Sequence, residues 1–207
     1  LCLGSSIYAF SVMLATFLFG IALGSYALSR VSSRIPVNLS LFALLQWITA
    51  VLVMTGIRQF EDLPFYFLRI YEFSNKSMAV IEAGKFLLSA LIMLGPTLAI
   101  GALFACFIQI IRRSDAVGGE VGRAYFANTI GTIAGSILAG FLLVPWLGIQ
   151  KTLVFGAWLQ GGIGLAAFFM SRPVKSLRGQ LTAAGLAGLL ILSSLYARPW
   201  DQTLLTS

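Results

Sequence analysis

The sequence predicts an all-α fold: a polytopic transmembrane helix bundle of about six spans, with one interfacial amphipathic helix. Three observations predict it. Of 207 residues, 58% are hydrophobic and only 10% charged, whereas a soluble domain carries about 25% charged residues to cover its wetted surface. Apolar runs close to the ~20 residues needed to cross hydrocarbon recur along the chain. Between them, Lys and Arg gather in short clusters, as membrane topology signals do.

The first run, Ser5–Leu28, is apolar throughout and carries Gly20 and Gly24 as a GxxxG pair inside "FLFGIALGSYALS". A basic connection with Arg30 and Arg34 leads to the second run, Leu39–Ile57. Residues 58–77, "RQFEDLPFYFLRIYEFSNKS", are not an ordinary loop. Leu63, Phe67, Ile70 and Tyr71 fall at i, i+4, i+7 and i+8, one helical face. Glu72 and Lys76 form an i,i+4 pair on the wet side. With its Phe and Tyr content, this segment is expected to lie on the outer membrane surface as an interfacial helix.

The third run, Met78–Ile111, is too long for one straight span and contains Gly95-Pro96. Proline removes one backbone hydrogen bond and crowds the preceding turn, so a kink is expected there. Ala124–Leu147, Thr152–Met170 and the shorter Leu181–Tyr196 complete the six. The first residues, "LCLGSS", lack both an initiator Met and a charged region, so the chain reads as a fragment rather than as a signal peptide.

Fourteen Lys and Arg against seven Asp and Glu give a formal charge of +7. In a soluble protein that balance would suggest nucleic acid. Here the cations flank apolar runs, so no nucleic-acid partner is expected, and the lipid bilayer is the first partner. The connections around 30–34, 112–123 and 172–178 form the denser alternate set and are expected in the cytoplasm of a plasma membrane, a bacterial inner membrane by this reading. Both ends of the chain then face outside. The absence of His, with only Cys2 and Cys106 as thiols, removes His-based catalysis, His-ligated metals and paired-Cys metal motifs. No catalytic triad, metal cluster or nucleotide motif is found.

Ala127, Gly131, Gly135 and Ala139 repeat every four residues along the fourth run, stacking into a ridge with almost no side chain. Lipid gives helices no hydrophobic reason to associate, so close backbone approach supplies the attraction. This ridge and the Gly20/Gly24 pair are therefore the expected packing faces, within the chain or in a homo-oligomer. Asn128 and Thr129 lie beside the ridge. An interhelical hydrogen bond from the Asn128 amide is the plainer expectation, and a solute contact the sharper one. Glu82 and Lys85, an i,i+3 pair, are expected near the headgroups, because each charge would cost about 3 kcal/mol at the bilayer centre. Glu120, favoured by the macrodipole at a helix start, and Arg123, able to snorkel, complete the candidate polar residues.

Two segments and the tail resemble a known family. "LGSSIYAFSVMLATFLFGIALGSYALSR" and "VGRAYFANTIGTIAGSILAGFLLVPWLGIQKTL" resemble the membrane portion of spermidine-synthase-like proteins. The ending "ARPWDQTLLTS" resembles the junction into their soluble domain. The resemblance implies a membrane domain over residues 1–196, one further helix upstream, and a junction at 197–207 leading to an aminopropyltransferase-type domain. That domain would bind decarboxylated S-adenosylmethionine in a glycine-rich loop. Its motifs lie outside this sequence, so no catalytic residue and no cofactor is assigned to this chain. More weakly, "GSYALSRVSSR" resembles the loop after the second helix of major-facilitator transporters, with Ser29 where such proteins carry an acidic residue. That likeness implies the alternative function, a half-transporter bundle moving a polyamine or another small solute.

Overall fold

In the computed structural model of the chain, the described residues are 2–73, 78–111, 117–171 and 188, and among them there are helices and no strand. The elements are α1 (Cys2–Val31), α2 (Leu39–Phe73), α3 (Met78–Ile111), α4 (Val117–Ile137), a π-helical segment (Leu138–Leu143) and α5 (Val144–Ser171). Four helical stretches are long and apolar enough to cross a membrane: Phe10–Val31, Leu39–Gln59, Phe86–Ile111 and Gly118–Ser171. The all-helical class, with helices long and apolar enough to cross a membrane, is as the sequence predicts, but the count among the described residues differs. The expected fourth and fifth spans form one 54-residue apolar stretch, broken at Gly148 (φ 79, ψ 167). Only glycine takes that φ without steric cost. The expected sixth run, Leu181–Tyr196, lies outside the described residues, Gly188 apart, as do the junction 197–207 and the basic segment 172–178.

The expected separate interfacial helix is instead a continuation of α2, which runs unbroken for 35 residues to Phe73. At 1.5 Å per residue this is roughly 50 Å, well beyond a hydrocarbon core of about 30 Å. The helical periodicity of 58–73 was legible, but nothing in the sequence halts the helix between Ile57 and Arg58. The opposite end of α2 is fixed by Asn38, whose Oδ1 accepts from the Leu41 amide at 3.0 Å, an N-cap that satisfies one orphan donor. α3 also continues through Pro96. Just beyond it, the Thr97 hydroxyl donates to the Met93 and Leu94 carbonyls at 2.9 and 3.0 Å.

The tightest contact is between α1 and α3. A Cβ added at Gly20 would strike the Thr97 hydroxyl, one at Gly24 the Leu98 carbonyl, and one at Gly101 the Ile21 backbone. Across the same seam the Ser25 hydroxyl donates to the Gly101 carbonyl at 2.9 Å. α5 packs antiparallel on α2. Val154 and Ala157 join Val53, Met54 and Ile57 at one end, Leu165 meets Trp47 and Ala50 in the middle, and the Ser40 hydroxyl bonds Ser171 at the other, 3.0 Å apart. A third cluster, Leu28, Val37 and Cys106 with Leu41, Phe42 and Ile110, closes the bundle at the end where α1 and α3 finish and α2 begins. We call this the basic end, because Arg30 and Arg34 stand on it. Arg58 and Lys151 stand at the far end.

α4 behaves differently. It touches the bundle through Ala124, which is buried, and Tyr125, whose ring stacks edge-on against Phe104 at 5.3 Å. From there to the Gly148 break it is largely exposed. No described residue comes within 4 Å of a Cβ built at Gly131 or Gly135. Among the described residues, then, the Ala127/Gly131/Gly135/Ala139 ridge meets no other helix; its four-residue spacing is a capacity for close approach, and the expected sixth run lies outside the described residues.

The two stripes predict opposite responses to an added methyl. Gly24→Ala and Gly101→Ala each meet backbone that cannot swing aside, and overpacking of this kind typically costs about 1–3 kcal/mol. Gly131→Ala meets open space and is neutral or, through helix propensity, stabilising by up to about 1 kcal/mol. Unfolding of the reconstituted chain by increasing SDS in mixed micelles measures both. A destabilisation by Gly131→Ala equal to that by Gly24→Ala would show that the α4 ridge is packed after all.

Candidate functional site

Inside a membrane a buried polar atom needs a partner, so polar side chains within spans mark either structural bonds or a ligand. The middle of α2 carries three such residues together, Gln46, Trp47 and Thr49, at 5%, 3% and 2% exposure. Across from α2, Thr97 of α3 is also buried. Both threonines are satisfied within their own helices. Thr49 donates to the Leu45 carbonyl at 2.8 Å, and Thr97 to the two carbonyls named above.

Gln46 and Trp47 are not satisfied. Among the described residues, the Gln46 Oε1 and the Trp47 Nε1 are both buried without a hydrogen-bond partner. A buried group left unpaired typically costs about 1–3 kcal/mol. The glycines of α5 create the setting. Ala157, Gly161, Gly164 and Ala167 are its buried residues, and they lie on one face at helical spacing. A Cβ at Gly164 would sit 2.8 Å from Trp47 Cδ1, 2.9 Å from its Nε1 and 3.0 Å from Gln46 Cβ. The indole therefore rests directly against the α5 backbone. An amide oxygen and an indole N–H offer one acceptor and one donor. They can hold a hydrogen-bonding group, but neither ionises in the physiological range, so the pair cannot relay a proton.

The residues singled out from sequence scatter around this seam instead of forming it. Asn128 and Thr129 are exposed on α4. The Thr129 hydroxyl folds back to the Tyr125 carbonyl at 2.9 Å, and the Asn128 backbone carbonyl accepts from Thr132 at 2.8 Å. Among the described residues, no helix faces the Asn128 amide. Glu120 stands in the first turn of α4, with Arg123 exposed three residues on, at the basic end. Glu82 and Lys85 fall on α3 just before Phe86, where the apolar span starts; their side chains lie outside the described structure. Gly95 and Pro96 are mid-α3. Among the described residues, no group of three His, Cys, Asp or Glu could hold a metal ion.

Sequence reading missed Ser25, Gln46 and Trp47, whereas Gly164, with Gly161 and Gly162, reads from the sequence as a packing glycine of the fifth run. The signal for Gln46 was available: it interrupts "ALLQWIT" just as Asn128 interrupts its own run. Ser25 was detectable as the hydroxyl directly after the second glycine of the pair that packs.

Replacing Gln46 by leucine removes a buried acceptor that no protein group satisfies, at nearly constant volume. Gln46→Leu is expected to leave the SDS unfolding midpoint unchanged or raised. A loss of more than about 1 kcal/mol, the usual net worth of a hydrogen bond, would reveal a partner for that amide. Comparison with protein-family models, with curated proteins and with solved structures returned no match.

Proposed function

We propose that this chain is the membrane domain of a spermidine-synthase-like protein, anchoring an appended aminopropyltransferase-type domain and contributing no catalytic group of its own. The observation that carries this reading is the make-up of the buried faces. They consist of glycine, alanine and apolar side chains, plus hydroxyl, amide and indole groups that do not titrate near neutrality. Such faces suit an anchor. The resemblance in residues 122–153 supports it, since that segment is a continuous structural feature: the exposed α4, the π-helical segment and the Gly148 break. Decarboxylated S-adenosylmethionine would bind the appended domain.

The sequence encoded after Ser207 tests the proposal. A glycine-rich strand–turn–helix pattern followed by an acidic residue is expected, and a stop codon or a further hydrophobic run would overturn it. Spermidine formed by the purified 207-residue chain from decarboxylated S-adenosylmethionine and putrescine would refute the assignment of catalysis elsewhere.

A second reading, a bundle that handles a small solute, has one specific observation in its favour: the unpaired Gln46 and Trp47 at mid-span. Uptake of spermidine into proteoliposomes, abolished by Gln46→Leu in a chain that still folds, would promote it above the anchor.

On either reading the domain belongs in a plasma membrane with the basic end in the cytoplasm. The fold supports this by gathering Arg30, Arg34 and Arg123 at one end, where Ile111 and Ser171 also terminate their helices. In a background with Cys2 and Cys106 replaced by alanine, Ser33→Cys is expected to react with a membrane-impermeant maleimide only from the cytoplasmic side, and Lys151→Cys only from the outside. The reverse pattern would invert the topology.

A further inference from the structure

At the basic end, the last turn of α1 and the residues after it enclose an open cavity of about 480 Å³, lined by Tyr26, Arg30, Val31, Ser33 and Arg34. That volume lies in the range of small-molecule sites. From its position, charge and hydrogen bonding we propose that this cavity binds the phosphate of an anionic phospholipid headgroup, with Arg30 and Arg34 as its ligands. The proposal is independent of the synthase reading.

The cavity is cationic without an internal counter-ion. No acidic residue lines it, and its two guanidinium groups share no ion pair with any described residue. A helix C-terminus ordinarily draws arginines to its unsatisfied carbonyls. Here other donors have taken them. The hydroxyls of Ser29, Ser32 and Ser33 donate to the carbonyls of Tyr26, Ser29 and Arg30 at 3.0, 2.9 and 2.8 Å. The amides of Ser32, Arg34 and Ile35 donate to Leu28 and Val31 at 2.7, 2.9 and 3.1 Å. The negative end of the α1 dipole is thus capped by neutral groups, and both guanidinium forks remain available for an external anion.

Position selects the anion. Arg30 lies at the end of the span Phe10–Val31, the depth at which lipid phosphates sit. Its Cζ lies over the Tyr26 ring at 5.1 Å from the centroid; this cation–π contact holds the guanidinium beside the membrane rather than letting it extend into water. Tyrosine itself favours the headgroup layer. The planar forks of two arginines suit phosphate oxygens better than lysine's point charge does.

The test uses the 207-residue chain in phosphatidylcholine nanodiscs, titrated with spin-labelled phosphatidylglycerol while the immobilised fraction is read. Saturable association is expected. Arg30→Gln with Arg34→Gln should weaken it by about tenfold, in line with removing two basic residues beside an anionic lipid surface. Arg30→Lys with Arg34→Lys should fall between, because charge remains and the fork is lost. Lys151→Gln, at the far end, should change nothing. All three side chains project from the surface, and circular dichroism verifies that each variant stays helical. Unaltered association in the double glutamine variant would overturn the proposal. So would an equal loss on Lys151→Gln, which would indicate undirected charge attraction. Full displacement by excess inorganic phosphate would also overturn it, by making the site one for a free anion instead of a lipid.

Discussion

The close approach of α1 to α3 is the contact on which the rest of the bundle depends. In lipid, burying apolar surface between helices gains nothing over leaving it against acyl chains, so association has to come from packing at short range. Gly20 and Gly24 bring the α1 backbone onto Thr97 and Leu98, and Gly101 returns the contact onto Ile21. With both backbones this near, weak Cα–H···O contacts become feasible, and the Ser25 hydroxyl can reach the Gly101 carbonyl. That bond uses an acceptor that remains available although its own helix is intact, since a carbonyl has two lone pairs. α3, once fixed on α1, presents Cys106 and its neighbours to α2, and α2 in turn presents Trp47, Met54 and Ile57 to α5.

The α2–α5 seam applies the same rule with a large partner. Instead of backbone meeting backbone, the indole of Trp47 fills the notch that Gly164 leaves. A tryptophan offers great dispersion area, but its N–H must go somewhere, and against the α5 backbone it finds no acceptor. The seam therefore trades a polar cost for packing at one level of the bundle. At its end the trade is absent, since Ser40 and Ser171 satisfy each other. This contrast makes the Gln46–Trp47 level the chemically distinctive one inside the membrane.

Much of this was legible in the sequence, and the limits have physical causes. Composition and run length set the class, because the bilayer dictates what a spanning segment must contain. The glycine pair on α1 was legible as a packing face and serves as one. The ridge on α4 satisfied the same pattern equally well and meets no described residue at Gly131 or Gly135. A spacing rule reports the shape of one surface; it carries no information about the second surface. The boundary between α2 and its extension failed for a related reason. Periodicity in 58–73 reveals a helix, but whether that helix is separate depends on a break, and no glycine falls between Ile57 and Phe73 to supply one. At Gly148, by contrast, the sequence offered a single glycine among many, and only its positive φ identifies it as the place where the chain turns.

The exposure of α4 has its own logic. Hydroxyls on an apolar helix can bond back to its own carbonyls, and those of α4 do so repeatedly. Thr129, Thr132 and Ser136 each donate to a carbonyl three or four residues back, at 2.9, 2.8 and 2.9 Å. These bonds spend hydroxyls that could otherwise have reached a neighbour. Asn128 is the exception, since its amide carries two donors and cannot satisfy them on backbone that is already paired. It lies one turn beyond Tyr125, whose ring docks α4 on Phe104, so the amide stands just past the level at which α4 touches α3.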